Sequence, residues 1–122
     1  MKNKKIIYEN YLDKIPMRRD GLRWSVDENG GVILEIENKG FANRLAQILL
    51  KKPKLSFIHL DEMGSFIWTK IDGKKNVFWI GKDVKEHFGN KAEPLYERLA
   101  QYFGVLKRYG FVEFNNTHKR IS

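Results

Sequence analysis

The sequence predicts an α+β fold in which a small antiparallel β-sheet of three strands packs on a three-helix bundle. Three observations carry this reading. Apolar residues alternate with others in the runs Leu22–Val26 and Val32–Ile36 and again from Leu55 to Leu60. From Asp61 onward the recurrence lengthens to every third or fourth position. Turn residues fall where the periodicity breaks, at Asn29-Gly30, Asp72-Gly73, Gly89 and Gly110.

Residues 1–20 carry six basic and three acidic side chains, with apolar residues only in the clusters Ile6-Ile7-Tyr8 and Tyr11-Leu12. They read as a flexible basic N-terminal arm that ends extended at Ile15-Pro16. Residues 21–114 read as one domain, and 115–122 as a frayed tail. Leu22–Val26 and Val32–Ile36 are the first two strands. The Asp27-Glu28-Asn29-Gly30-Gly31 stretch between them makes a hairpin, since Asn-Gly tolerates the positive φ of a tight turn. In the second strand Val32, Leu34 and Ile36 share one face.

Residues 41–52 change period, with Phe41, Leu45, Ile48 and Leu49 on one helical stripe and Pro53 closing it. This extra amphipathic helix is inserted before the third strand, and Lys39–Lys54 holds five basic residues and no acid. In the third strand Leu55, Phe57 and His59 alternate with Ser56, Ile58 and Leu60, so both faces carry apolar residues. Asp61 then caps a helix with Glu62 in its first turn. Its expected buried stripe is Met63, Phe66, Ile67 and Ile71, with Trp68 beside them. Asn76 caps a second helix bearing Val77, Ile80, Val84, His87 and Phe88, stopped by Gly89. Pro94 opens a third helix with the stripe Leu95, Leu99, Tyr102, Leu106 and Tyr109. Gly110 ends it in the left-handed region, Phe111 folds back on the last turn, and Phe111–Phe114 adds a short strand. Three short helices with a small antiparallel sheet is a winged-helix-like arrangement.

Composition narrows the function. A chain of 122 residues that is 42% hydrophobic and 13% aromatic can bury a core. No apolar run approaches the ~18–20 residues of a membrane span. The N-terminal stretch lacks the apolar segment of a secretion signal, so a cytoplasmic location is expected. With no cysteine, the chain has no disulfide, no thiolate zinc site and no cysteine nucleophile. His59, His87 and His118 lack metal-ligand spacing. The Asp61-Glu62 pair is explained by helix capping rather than acid–base work. Trp68 and Trp79 are expected in the core rather than stacked on a ligand. Asn29-Gly30-Gly31 precedes no helix and so cannot cradle a phosphate. No enzyme activity and no cofactor are expected. A formal charge of +8 favours an anionic partner.

The stretch LDEMGSFIWTKIDGKKNVFWIGKDVKEHFG resembles the central signature of the PqqD-like family, the peptide chaperones of pyrroloquinoline quinone (PQQ) synthesis and related pathways. That family shows Leu-Asn-Glu-(small)-Gly-x-x-Ile-Trp, then Asp-Gly-x-x-(Thr)-Val-x-x-Ile, then a helix ending in Gly and an apolar residue. The matching residues here are Leu60, Asp61, Glu62, Gly64, Ile67, Trp68, Asp72, Gly73, Val77, Ile80, Gly110 and Phe111. The likeness covers roughly residues 22–37 and 55–114, and its specificity lies in the order and spacing of motifs that are each weak alone. Asp61 and Asn76 stand where the family has Asn and Thr, and both still suit a helix cap. The 41–52 insertion and the longer arm depart from compact family members.

The resemblance implies a recognition element for ribosomally made, post-translationally modified peptides (RiPPs). Such a domain holds the leader of a precursor peptide and presents it to a modifying enzyme, often of the radical S-adenosylmethionine (radical SAM) class. It implies β-augmentation, with the leader as an added strand on the third strand, in a groove beside the third helix. The residues this selects are Lys54, Leu55, Ser56, Phe57, Ile58 and His59 on the strand. On the third helix Arg98 and Val105 form one shoulder of the buried stripe, Tyr96 and Phe103 the other, and either can line a groove. Arg98, Tyr102 and Val105 are the choice, because an apolar Val105 beside a cation suits an acidic, apolar leader. A DNA-binding winged-helix regulator is the alternative, favoured by the charge. The outward face of 94–109, however, mixes Glu97 with Arg98, Gln101, Lys107 and Arg108, and its N-terminal end is acidic.

Overall fold

In the computed structural model, residues 11–38 and 54–115 are described. The fold is α+β, with two small antiparallel sheets and three α-helices among the described residues. The chain divides into two compact units, a sheet unit of Gly21–Ser65 and a helical unit made of Met1–Asp20 and Phe66–Ser122. The expected helix over 41–52 lies outside the described residues.

The sheet unit contains β2 (Arg23–Val26), β3 (Val32–Asn38) and β4 (Lys54–His59), in that order across an antiparallel sheet. The β2–β3 turn forms as the Asn-Gly pair predicts. The Asp27 carboxylate accepts hydrogen bonds from the Asn29 and Gly31 N–H groups, both at 2.8 Å, and Gly30 takes φ 86°. Alternation holds in β3, where Val32 and Leu34 are fully buried. The Ser65 hydroxyl ties this core to the chain after β4. It accepts from the Val32 N–H at 2.8 Å and donates to the Leu60 carbonyl at 3.2 Å. Asp61 caps α1 (Glu62–Lys70) as expected, accepting from the Gly64 N–H at 2.7 Å.

The helical unit takes α1 onward from Phe66, then α2 (Val77–Phe88), a 3-10 turn at Gly89–Ala92, α3 (Leu95–Arg108) and β5 (Val112–Asn115). Asn76 caps α2 through the Trp79 N–H at 2.9 Å. Asp72 organises the preceding turn by accepting from the Lys74 and Lys75 N–H groups, both at 2.8 Å. Partial desolvation pushes its carboxyl up, but those two N–H dipoles and the Lys75 charge outweigh this and hold it below its ordinary value. At the end of α3, Gly110 adopts φ 80° and the Phe111 N–H reaches back to the Leu106 carbonyl at 2.8 Å. Phe111 is buried, as its fold-back position predicts.

Three corrections concern this unit. First, Ile15–Arg18 is not the loose end of an arm. It is strand β1, paired antiparallel with β5 from Ile15↔Asn115 to Arg18↔Val112. Cations at both ends of the strand are held in place: Arg18 donates to the Trp68 carbonyl at 3.2 Å and lies over the Trp68 ring, and Lys14, just before the strand, sits over Phe114. Tyr11 meets Phe114 edge-on at 5.8 Å. Second, the buried row of α3 is Leu99, Phe103 and Leu106. Phe103 is 0% exposed, whereas Tyr109, placed in the stripe by its spacing, is 62% exposed. Third, Trp68 is fully buried and Trp79 is 54% exposed, so only the first of the two tryptophans belongs to the core. Phe66, assigned to the α1 stripe, is half-buried and stacks on His87 at 4.4 Å.

Candidate functional site

A strand flanked on one side only carries an unfilled row of main-chain donors and acceptors. Among the described residues β4 is such a strand, paired with β3 alone in the register Ile33↔His59 through Asn38↔Lys54. The register decides which residues of β4 face outward. Opposed residues in an antiparallel ladder alternate between pairs that exchange hydrogen bonds and pairs that do not. The Leu60 N–H donates to the Val32 carbonyl at 2.9 Å, so Val32/Leu60 is a bonded pair. Counting back along the register, Ser56 and Ile58 then bond to Ile36 and Leu34. Leu55, Phe57 and His59 therefore turn their N–H and C=O groups to the open edge. On the other side of β3 the Asp27 N–H meets the Gly31 carbonyl at 2.8 Å, which fixes the complementary parity for β2.

Side chains follow the same two-residue rhythm. Ser56 and Ile58 are half-buried, on the face that carries Val32 and Leu34, while Phe57 and His59 stand exposed on the opposite face. Phe57 is 57% exposed, which is unusual for a phenylalanine. Beside it lies a shallow hollow of about 400 Å³ lined by Leu22, Arg23, Trp24, Ser25, Ile33 and Glu35 as well as Phe57. Arg23 and Glu35, opposed across β2 and β3, pair at 3.7 Å at its floor. The sequence reading did not single out this hollow. Its signal was the apolar content of both faces of the Leu55–Leu60 strand.

In the helical unit Arg98, Tyr102 and Val105 lie in one row along α3, four and three residues apart. Arg98 is exposed, Tyr102 half-buried and Val105 47% exposed. On the opposite shoulder Phe103 is buried and Tyr96 is 44% exposed, while Arg98 and Val105 are both exposed, so each shoulder keeps an exposed residue. Tyr109 extends the open row by one more turn, a residue that the stripe assignment had hidden. Of the nine residues selected, six thus lie on one strand of the sheet unit and three on one face of one helix. Lys54 and Leu55 are placed on that strand by their main chain.

Among the described residues no group of His, Asp and Glu could hold a metal ion. The two carboxylates with displaced pKa values are structural. Asp72 shapes a turn, and Glu93 is lowered by its hydrogen bond from Lys85 and by the Leu95 N–H at the start of α3. No helix among the described residues is long and apolar enough to cross a membrane.

Among the described residues the chain is α+β, with an edge strand in the sheet unit and a partly exposed helix, α3, in the helical unit. The family model for coenzyme PQQ synthesis protein D (PqqD) matches residues 30–112, and the chain belongs to that family. No curated protein and no solved structure matches the chain. The match begins in the β2–β3 turn and ends at the start of β5, so it takes in both candidate surfaces.

Proposed function

We propose that this protein is a non-catalytic, winged-helix-like peptide chaperone. It holds the leader of a ribosomally made precursor as an added strand on β4 and presents it to a modifying enzyme of the radical SAM class, in the synthesis of PQQ or a related peptide-derived product. The observation that carries this reading is the open edge of β4, where Leu55, Phe57 and His59 offer main-chain groups in a regular row. Main-chain pairing supplies affinity that tolerates sequence, and side chains add selectivity. Family membership supports the biosynthetic setting. Arg98, Tyr102 and Val105 are a second proposed contact surface, and their case rests on the open face that they share on α3.

Calorimetric titration of the full chain tests this reading. The titrants are the synthetic leader of the precursor encoded beside its gene, a scrambled version of that leader, and a short DNA duplex. The expected result is saturable binding of the leader that exceeds binding of the scrambled peptide and persists when salt is raised. DNA binding that falls steeply with salt, with no response to the leader, would instead establish the regulator reading.

A further inference from the structure

The register of β4 fixes more than where a peptide strand would bond. It also fixes which of the peptide's side chains would stand next to which of the protein's. Phe57 turns its N–H and C=O to the open edge and its side chain to the exposed face of the sheet. A peptide strand bonded there puts the residue opposite Phe57 on that same exposed face, about 5 Å away across the pair. The hollow lies on the β3 side of the Phe57 ring, and the open edge lies on the other.

We infer that Phe57 is a specificity-determining residue, which selects a peptide bearing a large apolar side chain at the position opposite it on the exposed face of the sheet. This rests on the reading that β4 accepts a peptide strand, and it adds which peptide class the strand prefers. Three observations favour an apolar partner over a charged one. Phe57 is 57% exposed on an edge strand, and that apolar area is covered favourably only by another apolar side chain. Its cross-strand neighbour Glu35 is already paired with Arg23 at 3.7 Å and so is not a lone charge waiting for a cationic partner. Aromatic–aromatic and aromatic–branched pairs are the favourable cross-strand combinations. Peptide residues one step to either side point to the other face, beside Ser56 and Ile58, so the preference is confined to alternate positions.

The test uses the full chain and a phage-displayed library of random short peptides. A selected peptide is synthesised, scanned with serine at each position, and titrated against the wild-type chain, Phe57→Thr and Phe57→Leu. Threonine keeps a strand-forming residue at 57 while removing the ring. The expected result is one apolar peptide position whose serine substitution weakens wild-type binding by up to about fivefold. Phe57→Thr should abolish that sensitivity, and Phe57→Leu should restore most of it. If the peptide protects the Leu55, Phe57 and His59 amides but every serine effect is the same on Phe57→Thr as on wild type, the inference is overturned while the strand-pairing reading stands. If no peptide is selected, or the selected peptide leaves those three amides unprotected, both are overturned.

Discussion

Phe57→Pro is expected to lower leader affinity by roughly a hundredfold or more while leaving the three-stranded sheet intact. Both halves of this expectation follow from the bond parity of β4. The Phe57 N–H points to the open edge, so proline there removes no bond to β3, and an outward-facing edge position is where a strand accepts proline. Ser56, the preceding residue, is already extended, as a residue before proline prefers to be. An incoming strand, in contrast, loses a donor, leaves its own carbonyl unsatisfied, and meets the pyrrolidine ring where a hydrogen should be. A stranded buried acceptor alone costs about 1–3 kcal/mol, and the steric clash adds to it. Ile58→Pro is the informative control, because Ile58 bonds to Leu34 and its loss should disrupt the sheet itself. Circular dichroism separates the two outcomes, and calorimetry measures the affinity. Full leader affinity in a folded Phe57→Pro chain would mean that β4 is not where the peptide pairs.

Trp68→Ala should destabilise the chain by about 3–5 kcal/mol in chemical denaturation, at the top of the range for a single core truncation. Trp68 is fully buried, holds the Arg18 guanidinium over its ring at 5.5 Å, and offers its carbonyl to the same Arg18. Removing the ring leaves a cavity and also takes away the surface on which a half-buried cation rests. Set against the ~5–15 kcal/mol typical of whole domains, that loss takes roughly a fifth of the margin or more. Trp79→Ala, which removes the same side chain from an exposed position, should cost a small fraction of this. Equal losses from the two variants would contradict the division of roles between the tryptophans.

What could be read in the sequence was local, and what could not was decided at a distance. Asp61, Asn76, Gly30 and Gly110 each act on atoms within a few residues, and each does in the structure what its chemistry predicts. Strand β1 was hidden because its partner β5 lies at the other end of the chain and because the four residues Ile-Pro-Met-Arg are too few, and interrupted by a proline, to show an alternation. In α3, apolar residues fill two adjacent rows, Tyr102–Tyr109 and Leu99–Phe103–Leu106. A helical period cannot choose between neighbouring rows; packing chose the second. That choice exposed the Arg98–Val105 face. The alternation of Leu55–Leu60 puts apolar residues on both faces and does not say which face is buried. The structure exposes Phe57, a feature that only register and burial together make visible. The family signature was legible because its residues are mostly caps and core positions at fixed spacing, from Leu60 to Ile80.

The most direct test of the central claim is backbone amide hydrogen exchange, measured by NMR on the full chain with and without the leader peptide. Strand addition on β4 predicts that the Leu55, Phe57 and His59 amides exchange freely in the absence of peptide and become protected in its presence. The Ser56 and Ile58 amides, already bonded to β3, should change little. This alternation is specific to an added strand. Uniform protection along 55–59, or protection confined to other elements while those three amides stay open, would contradict it.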